Sequence, residues 1–274
     1  MAQKINWLQV LVQAKNAIQE QITKVIQTTR KPQPNLGIGA GGDPTRQVDL
    51  AAENAIVNTL INHRISFTLI SEESGITEYG KTAYEHYVTV DPIDGTTNVM
   101  RGIPFYATSL AVSTKPMLNT IHTALVADLA HDKTYTAQLG LGARRNGKTI
   151  SPSKTANLKE AVIGMDLNAF GTQKLVPKLA GLIQKTRHLR HLGANALELC
   201  YVADGTTDAF IDVRGRLRTT DMAAAWLITK EAGAKITALD GKPLNVKLDP
   251  KQTVAFIASA NQEIHQAILD LIRP

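Results

Sequence analysis

The sequence predicts a mixed α+β fold, and three observations carry that expectation. Apolar residues recur at helical spacing near the start of the chain, β-rich runs separated by turn signals follow one another, and strand-like and helix-like segments then alternate to the end. Two helices, a mostly antiparallel sheet and an alternating second half together make a mixed fold. The chain has 274 residues, 43% of them hydrophobic, enough for one large domain or two closely joined lobes. No linker composition divides it, so a single domain is expected, with an N-terminal lobe over about 1–157 and a C-terminal lobe over about 158–274.

Ile5, Leu8, Val12, Ile18, Ile22, Val25 and Ile26 lie near helical spacing and predict an amphipathic helix ending before "RKPQPN". "LGIGAGGDPTRQ" reads as a mobile loop, and Pro44 and Thr45 lead from it into a second helix, "VDLAAENAIVNTLINHR". "SFTLISEE" and "YEHYVTVDPID" read as strands that end in acids. "ATSLAVST", "TALVADLA" and "KTYTAQLG" continue as antiparallel strands, and "GLGARRNGKTI" as a hairpin turning at Asn146 and Gly147. The second half offers strands at "EAVIGMDL", "RHLRHLG", "TDAFIDVRG" and "TVAFIASA". Between and after them come helices at "TQKLVPKLAGLIQKT", "ANALELCYVADG", "TTDMAAAWLITKEAG" (stopped by Gly233) and "NQEIHQAILDLIR".

Composition narrows the function classes. No run of about 18 apolar residues predicts a membrane span. The start, "MAQKINWLQVLVQAKNAIQE", lacks the pattern of a secretory signal. The one cysteine, Cys200, sits in an apolar run and cannot form a disulfide within the chain, so a reducing, cytoplasmic setting is expected. A net charge of +6 favours anionic partners. The basic runs "TTRKP" and "GARRNGK" are short and lack aromatic companions, so no nucleic-acid partner is expected.

The chemistry concentrates where elements end or begin: Glu72 and Glu73 after one strand, Asp91 and Asp94 in "VDPIDGTTN", and Asp221 at a helix start. Ends of neighbouring strands can converge on one crevice. Clustered carboxylates repel, and a hard cation such as Mg²⁺ relieves them. Pro92 stiffens the bend between Asp91 and Asp94, which makes the Ile93 carbonyl a natural further ligand. Gly95 permits close approach to the backbone, and a helix or turn starting at Thr96 would offer N–H groups to an anion. Metal carboxylates beside an anion seat suit a phosphate group. A bare Asp-x-x-Asp-Gly can equally be a strand end and turn. The spacing excludes an EF-hand, because the glycine arrives one place early, and Arg145 excludes a dinucleotide loop at "GLGARRNG".

"DPIDGTTN", "SEES" and "TTDMAAAWLITKEAG", in this order and spacing, resemble the metal motifs of the inositol monophosphatase superfamily of Mg²⁺-dependent phosphatases. "GAGGDPTRQVDLAAEN" and "DVRGRLRTTD" resemble its archaeal-type branch, which acts on both inositol 1-phosphate and fructose 1,6-bisphosphate. The resemblance implies a layered α-β-α-β-α sandwich, usually a homodimer. It implies metal ligands at Glu72, Asp91, Asp94, Asp221 and the Ile93 carbonyl, for two or three Mg²⁺ ions, with Mn²⁺ as a substitute. Glu72, Asp49 and Thr96 become the catalytic set, with Asp49 near a weaker metal or the attacking water. Asp94, Gly95, Thr96, Arg190, Gly193, Ala194, Asn195 and Arg216 become substrate contacts. Glu73 is expected at the surface or behind the ligands, and His188 and His191 as structural or exposed.

The sequence departs from the family pattern at Ser71 (usually glycine, a change expected to matter little), Thr220 (often tryptophan), Val99 (often aromatic) and Gly41, where an aspartate is expected. Asp43 lies close enough to serve in its place. Arg216 and Arg218 flank Leu217, so one of the two can be an ordinary solvated strand residue. Other readings stand beside phosphosugar hydrolysis: a 3′-phosphoadenosine nucleotide phosphatase of the same superfamily, or a protein that binds phosphometabolites without hydrolysing them.

Overall fold

The structure is a computed structural model that describes residues 5–28, 36–42, 45–167 and 175–272. The expectation for Asp43 falls outside these residues. Two sheets and three sets of helices alternate. The first sheet has the strand order β2-β1-β3-β4-β5-β6-β7-β8. Its members are β1 (Phe67–Ser71), β2 (Gly75–Tyr79), β3 (Tyr87–Asp94), β4 (Ala107–Ser113), β5 (Ile121–Asp128), β6 (Lys133–Gln138), β7 (Ala143–Arg145) and β8 (Lys148–Thr149). Only the β1–β3 pair in it is parallel among the described residues. The second sheet runs β10-β9-β11-β13-β12, built from β9 (Val162–Met165), β10 (His188–Arg190), β11 (Ala209–Arg218), β12 (Lys235–Thr237) and β13 (Thr253–Ser259).

Helices α1 (Trp7–Thr28) and α2 (Gln47–Asn62) pack on each other and on the outer face of the first sheet. The short α3 (Thr96–Arg101) follows β3 directly. α5 (Asn195–Ala203) and α6 (Thr219–Glu231) lie between the sheets and touch both, while α4 (Leu175–Lys185) and α7 (Gln262–Ile272) pair on the far side of the second sheet. The result is the α-β-α-β-α sandwich, with three apolar cores: one between α1/α2 and the first sheet, one around the central helices and spanning to both sheets, and one between the second sheet and α4/α7.

Covering both faces explains the strand sequences. β4, "ATSLAVS", is buried at every residue and does not alternate. α6 is buried on all sides from Thr219 to Thr229, as a helix clamped between two sheets must be, and Ala223, Ala224 and Ala225 let those sheets approach.

Four sequence expectations need correction. In α1 the buried face is Trp7, Val10, Leu11, Ala14, Ile18 and Ile22, while Val12 is exposed and Leu8 only half-buried. Trp7 sets this phase by packing edge-on against the His86 ring at 5.0 Å. β2 and β12 carried no strand signal: β2 is short and alternates buried and exposed positions unevenly, with Ile76 facing solvent. β11 also runs beyond "TDAFIDVRG" to Arg218, through an irregularity between Asp212 and Leu217. The Asn146-Gly147 turn is as expected, with φ of 50° and 77°.

Candidate metal centre

Strand register brings the first two acids together. β1 and β3 are parallel with Ser71 opposite Val90, so the residues that follow, Glu72 and Asp91, stand side by side. Pro92 has no N–H to give the ladder, and the pairing of β3 with β4 shifts between Asp91 and Asp94. The third acid arrives on α6. Asp221 lies in its first turn, and its carboxylate accepts the backbone N–H of Arg218 at 3.3 Å. Carboxylate oxygens of Glu72, Asp91 and Asp221 all lie within 4.8 Å of one another, and all three residues are buried.

Burial pushes the Glu72 carboxyl well above the usual range, Asp221 adds to it, and Arg218 opposes it. Asp91 is raised for the same reason, with Glu72, Asp94 and Asp221 as its repelling neighbours. Its Oδ1 is buried and accepts no hydrogen bond from the described residues. A buried carboxylate oxygen without a donor is costly unless a proton or a cation meets it. Three converging hard oxygen donors are the set Mg²⁺ prefers, so these residues fit that ion.

Beside the triad, Gly95 opens α3 in the left-handed region at φ 91°, ψ 36°. A Cβ there would meet the Phe105 and Gly193 carbonyl oxygens at 3.1 and 3.2 Å and the Ala194 Cβ at 3.2 Å. The Thr96 hydroxyl has two acceptors within reach of its one proton, the Ile93 carbonyl at 2.9 Å and Asp49 Oδ1 at 3.2 Å. Asp49 is itself raised to about 7, by burial first and by Glu73 second, against the Arg46 N–H and the Thr96 hydroxyl. The buried Asn98 amide donates to the carbonyls of Phe105 at 2.7 Å and Leu192 at 2.8 Å, tying α3 to the loop before α5.

The sequence pattern of the inositol monophosphatase family matches residues 7–273, nearly the whole chain. The chain belongs to that family. It is 36% identical over 245 residues to the fructose-1,6-bisphosphatase/inositol-1-monophosphatase of Methanothermobacter thermautotrophicus, covering 86% of each protein. It is also 36% identical over 253 residues to the bifunctional NADP phosphatase/NAD kinase of Methanococcus maripaludis, where 85% of this chain spans 44% of that longer protein. A crystal structure of an inositol monophosphatase-fructose 1,6 bisphosphatase superposes with a TM-score of 0.85 at 30% identity, covering 97% of this chain and all of that one. Membership in this family of phosphatases, together with the acid triad, makes the chain an enzyme.

The other residues expected to serve an inositol monophosphatase site fall into two groups. Asp94 stands next to the triad, but its carboxylate faces the start of α5 and accepts N–H groups from Asn195 at 3.0 Å and Ala196 at 2.7 Å. Burial, then Asp221, raises it to about 7. Gly193, Ala194 and Asn195 are held on the far side of Gly95 by these bonds and by Asn98. Arg190 and Arg216 are exposed, and the Arg190 guanidinium donates to the Leu189 carbonyl at 2.8 Å. Neither arginine is part of the triad. Gly41 brings no carboxylate: its N–H donates to the Glu72 carbonyl at 2.7 Å, while Ala40 N–H binds the Glu73 carbonyl at 3.0 Å. Glu73 lies behind the triad, its carboxylate taking the Thr45 hydroxyl. His191 binds the Met165 carbonyl at 3.1 Å, and His188 is exposed, so both are structural or solvated as expected.

Three contributors were missed. Arg218 meets the acids: its Nη2 lies 2.5 Å from Glu72 Oε2 and its Nε 3.2 Å from Asp221 Oδ1. The signal was available, because Arg-x-x-Asp occurs twice, at Arg46 to Asp49 and at Arg218 to Asp221, each at a helix start with the arginine N–H bound to the aspartate. Glu198 accepts the N–H groups of Leu192 and Gly193 at 3.3 and 3.1 Å and shapes the loop before α5. Ser71, expected to matter little, is fully buried, gives its hydroxyl to Glu53 and receives the Glu73 N–H at 3.1 Å, which fixes the turn carrying Glu72.

Proposed function

We propose that this chain hydrolyses phosphate monoesters in a Mg²⁺-dependent reaction, with fructose 1,6-bisphosphate and inositol 1-phosphate as substrates. The observation that carries the reading is the buried triad of Glu72, Asp91 and Asp221 with an unsatisfied Asp91 oxygen, set directly before the Gly95 turn. Mg²⁺ bound by these three acids, and by Asp94 and the Ile93 carbonyl at a second position, supplies a Lewis acid for the phosphoryl oxygens and lowers the pKa of bound water.

The chain's own groups do the rest. The backbone of Gly95 and Thr96 at the start of α3 seats the phosphate, since the first N–H groups of a helix lack intrahelical partners. Asp49 holds the Thr96 hydroxyl, which leaves the Thr96 oxygen to accept from the attacking water. The 193–195 segment, Arg190 and Arg216 contact the hydroxylated remainder of the substrate. Two or three ions take part, and Mn²⁺ replaces Mg²⁺. The working unit is a cytoplasmic homodimer of twice 29.7 kDa, each copy a single catalytic domain of lobes about 1–157 and 158–274.

A second substrate class is favoured by one observation, the likeness to a protein named bifunctional NADP phosphatase/NAD kinase. One panel separates the classes: inorganic phosphate released, with Mg²⁺ and with EDTA, from fructose 1,6-bisphosphate, inositol 1-phosphate, NADP and a 3′-phosphoadenosine nucleotide. Release from the first two is expected. Release from NADP or the 3′-nucleotide alone moves the substrate to nucleotides, and binding without release from any of the four overturns hydrolysis.

A further inference from the structure

We infer that Arg218 is an internal counter-cation of the acid triad, competing with the divalent ion for Glu72 and Asp221 and so setting the affinity of the centre. The inference rests on the Mg²⁺ reading above. Arg218 ends β11, immediately before α6, and its guanidinium reaches across to the turn after β1. It bridges Glu72 Oε2 at 2.5 Å through Nη2 and both Asp221 oxygens at 3.2 and 3.3 Å through Nε. One arginine therefore engages two of the three residues that would hold the metal, Glu72 and Asp221.

The surroundings are shaped for this placement. Gly41 lies over the guanidinium, and a Cβ there would stand 2.7 Å from Arg218 Nη1, 3.1 Å from its Cδ and 3.2 Å from Glu72 Cβ. Gly41 has no left-handed φ, so its lack of a side chain answers to space and not to backbone conformation. Where the family pattern leads one to expect a carboxylate, this chain leaves room for a cation.

Arginine and Mg²⁺ cannot share these oxygens comfortably. A Mg²⁺ ligand lies at about 2.1 Å in near-octahedral geometry, which would set a double charge against the guanidinium on the same carboxylates. Arginine cannot give up its proton, so it yields only by moving, and its long side chain permits that. Metal loading then exchanges one cation for another, and the strength of the Arg218 pair subtracts from the affinity.

The test is titration calorimetry of the full-length protein with MgCl₂, together with thermal unfolding in EDTA and in saturating Mg²⁺. Arg218→Gln is expected to tighten Mg²⁺ binding at least tenfold and to lower the melting temperature in EDTA, with the deficit closing once Mg²⁺ saturates. Arg218→Lys keeps the charge without the fork, and its affinity is expected between the two. Gly41→Ala crowds the guanidinium from the other side and is expected to tighten binding as well, which keeps the inference testable if Arg218→Gln does not fold. Binding that is unchanged or weaker in Arg218→Gln, or in Arg218→Lys and Gly41→Ala together, overturns it, because Arg218 then supports the metal. If neither parent nor variant binds Mg²⁺, the metal reading falls first and this inference with it. Tighter binding without phosphate release leaves the inference standing while removing hydrolysis.

Discussion

Asp91 is the residue whose chemistry depends most on its setting. Its carboxylate is buried, repelled by Glu72, and carries an oxygen that receives no hydrogen bond from the described residues. Asp91→Asn removes that buried charge. Without Mg²⁺ the variant is expected to gain about 1–3 kcal/mol of stability, and with Mg²⁺ to lose both the ion's stabilisation and turnover. Unfolding curves in EDTA and in Mg²⁺ check this, and a variant still stabilised by Mg²⁺ would contradict the ligand role. Glu198 gives a pH prediction. Burial raises its carboxyl to about 8, above the ordinary value of 4.5, so the folded state holds a proton that the unfolded state has released between those limits. Its contribution is complete below pH 4.5 and is lost as pH rises towards 8. Glu198→Gln is expected to flatten the fall in stability between about pH 5 and 8, measured by urea unfolding across that range. A parallel profile for both proteins would contradict the assignment. The metal acids were legible as residue types in a spacing. Alternation alone does not single out Arg218, because it puts Arg216 and Arg218 on one strand face; only its place in Arg-x-x-Asp, at the turn into α6, marks the one that meets the acids.

At the scale of elements, helix starts and tight turns do the positioning. Asp94 serves α5 directly, so Asp94→Asn is expected to cost both turnover and about 1 kcal/mol of stability, since an amide can accept at only one of the two positions the carboxylate fills. Melting temperature and phosphate release measured on the same preparation check both effects. Asn98→Ala would strand the carbonyls of Phe105 and Leu192 in a buried place, an expected loss of about 2–4 kcal/mol, and would loosen the 192–195 segment. Denaturant unfolding gives the first effect, and faster hydrogen exchange at Gly193 the second. Elements with strong local chemistry were readable in advance: the Asn-Gly hairpin, the apolar runs of β4 and β5, and the alanine-rich α6. The phase of α1 was not, because the helix has apolar residues on more than one face and only tertiary packing of Trp7 chooses between them. β2 and β12 escaped because they are short edge strands whose burial does not alternate cleanly.

For the whole molecule, the metal centre joins the layers: Glu72 follows β1 and Asp91 lies in β3 of the first sheet, and Asp221 belongs to the helical layer beneath it. An ion bound there links them, so Mg²⁺ at 100 times its Kd is expected to stabilise the fold by about 2.7 kcal/mol, and EDTA to reverse this. A melting temperature indifferent to both would argue against the triad as the binding site. The mixed α+β class followed from the order of predicted elements and the layering from the family resemblance, but the register that makes the acids meet was not readable, because it depends on one parallel pairing. That pairing has a cause in β2. A strand that returned directly from β1 would run antiparallel and would carry Asp91 to the opposite edge of the sheet from Glu72, about 3.3 Å further for every residue of strand. β2 first turns the chain back along the edge, so β3 sets out from the same side as β1. The strand β2, with Ile76 in solvent and none of the three acids among its residues, therefore determines which way the chain is travelling when it reaches Asp91. Trimming it as a peripheral ornament would preserve every catalytic side chain and still take away their common address.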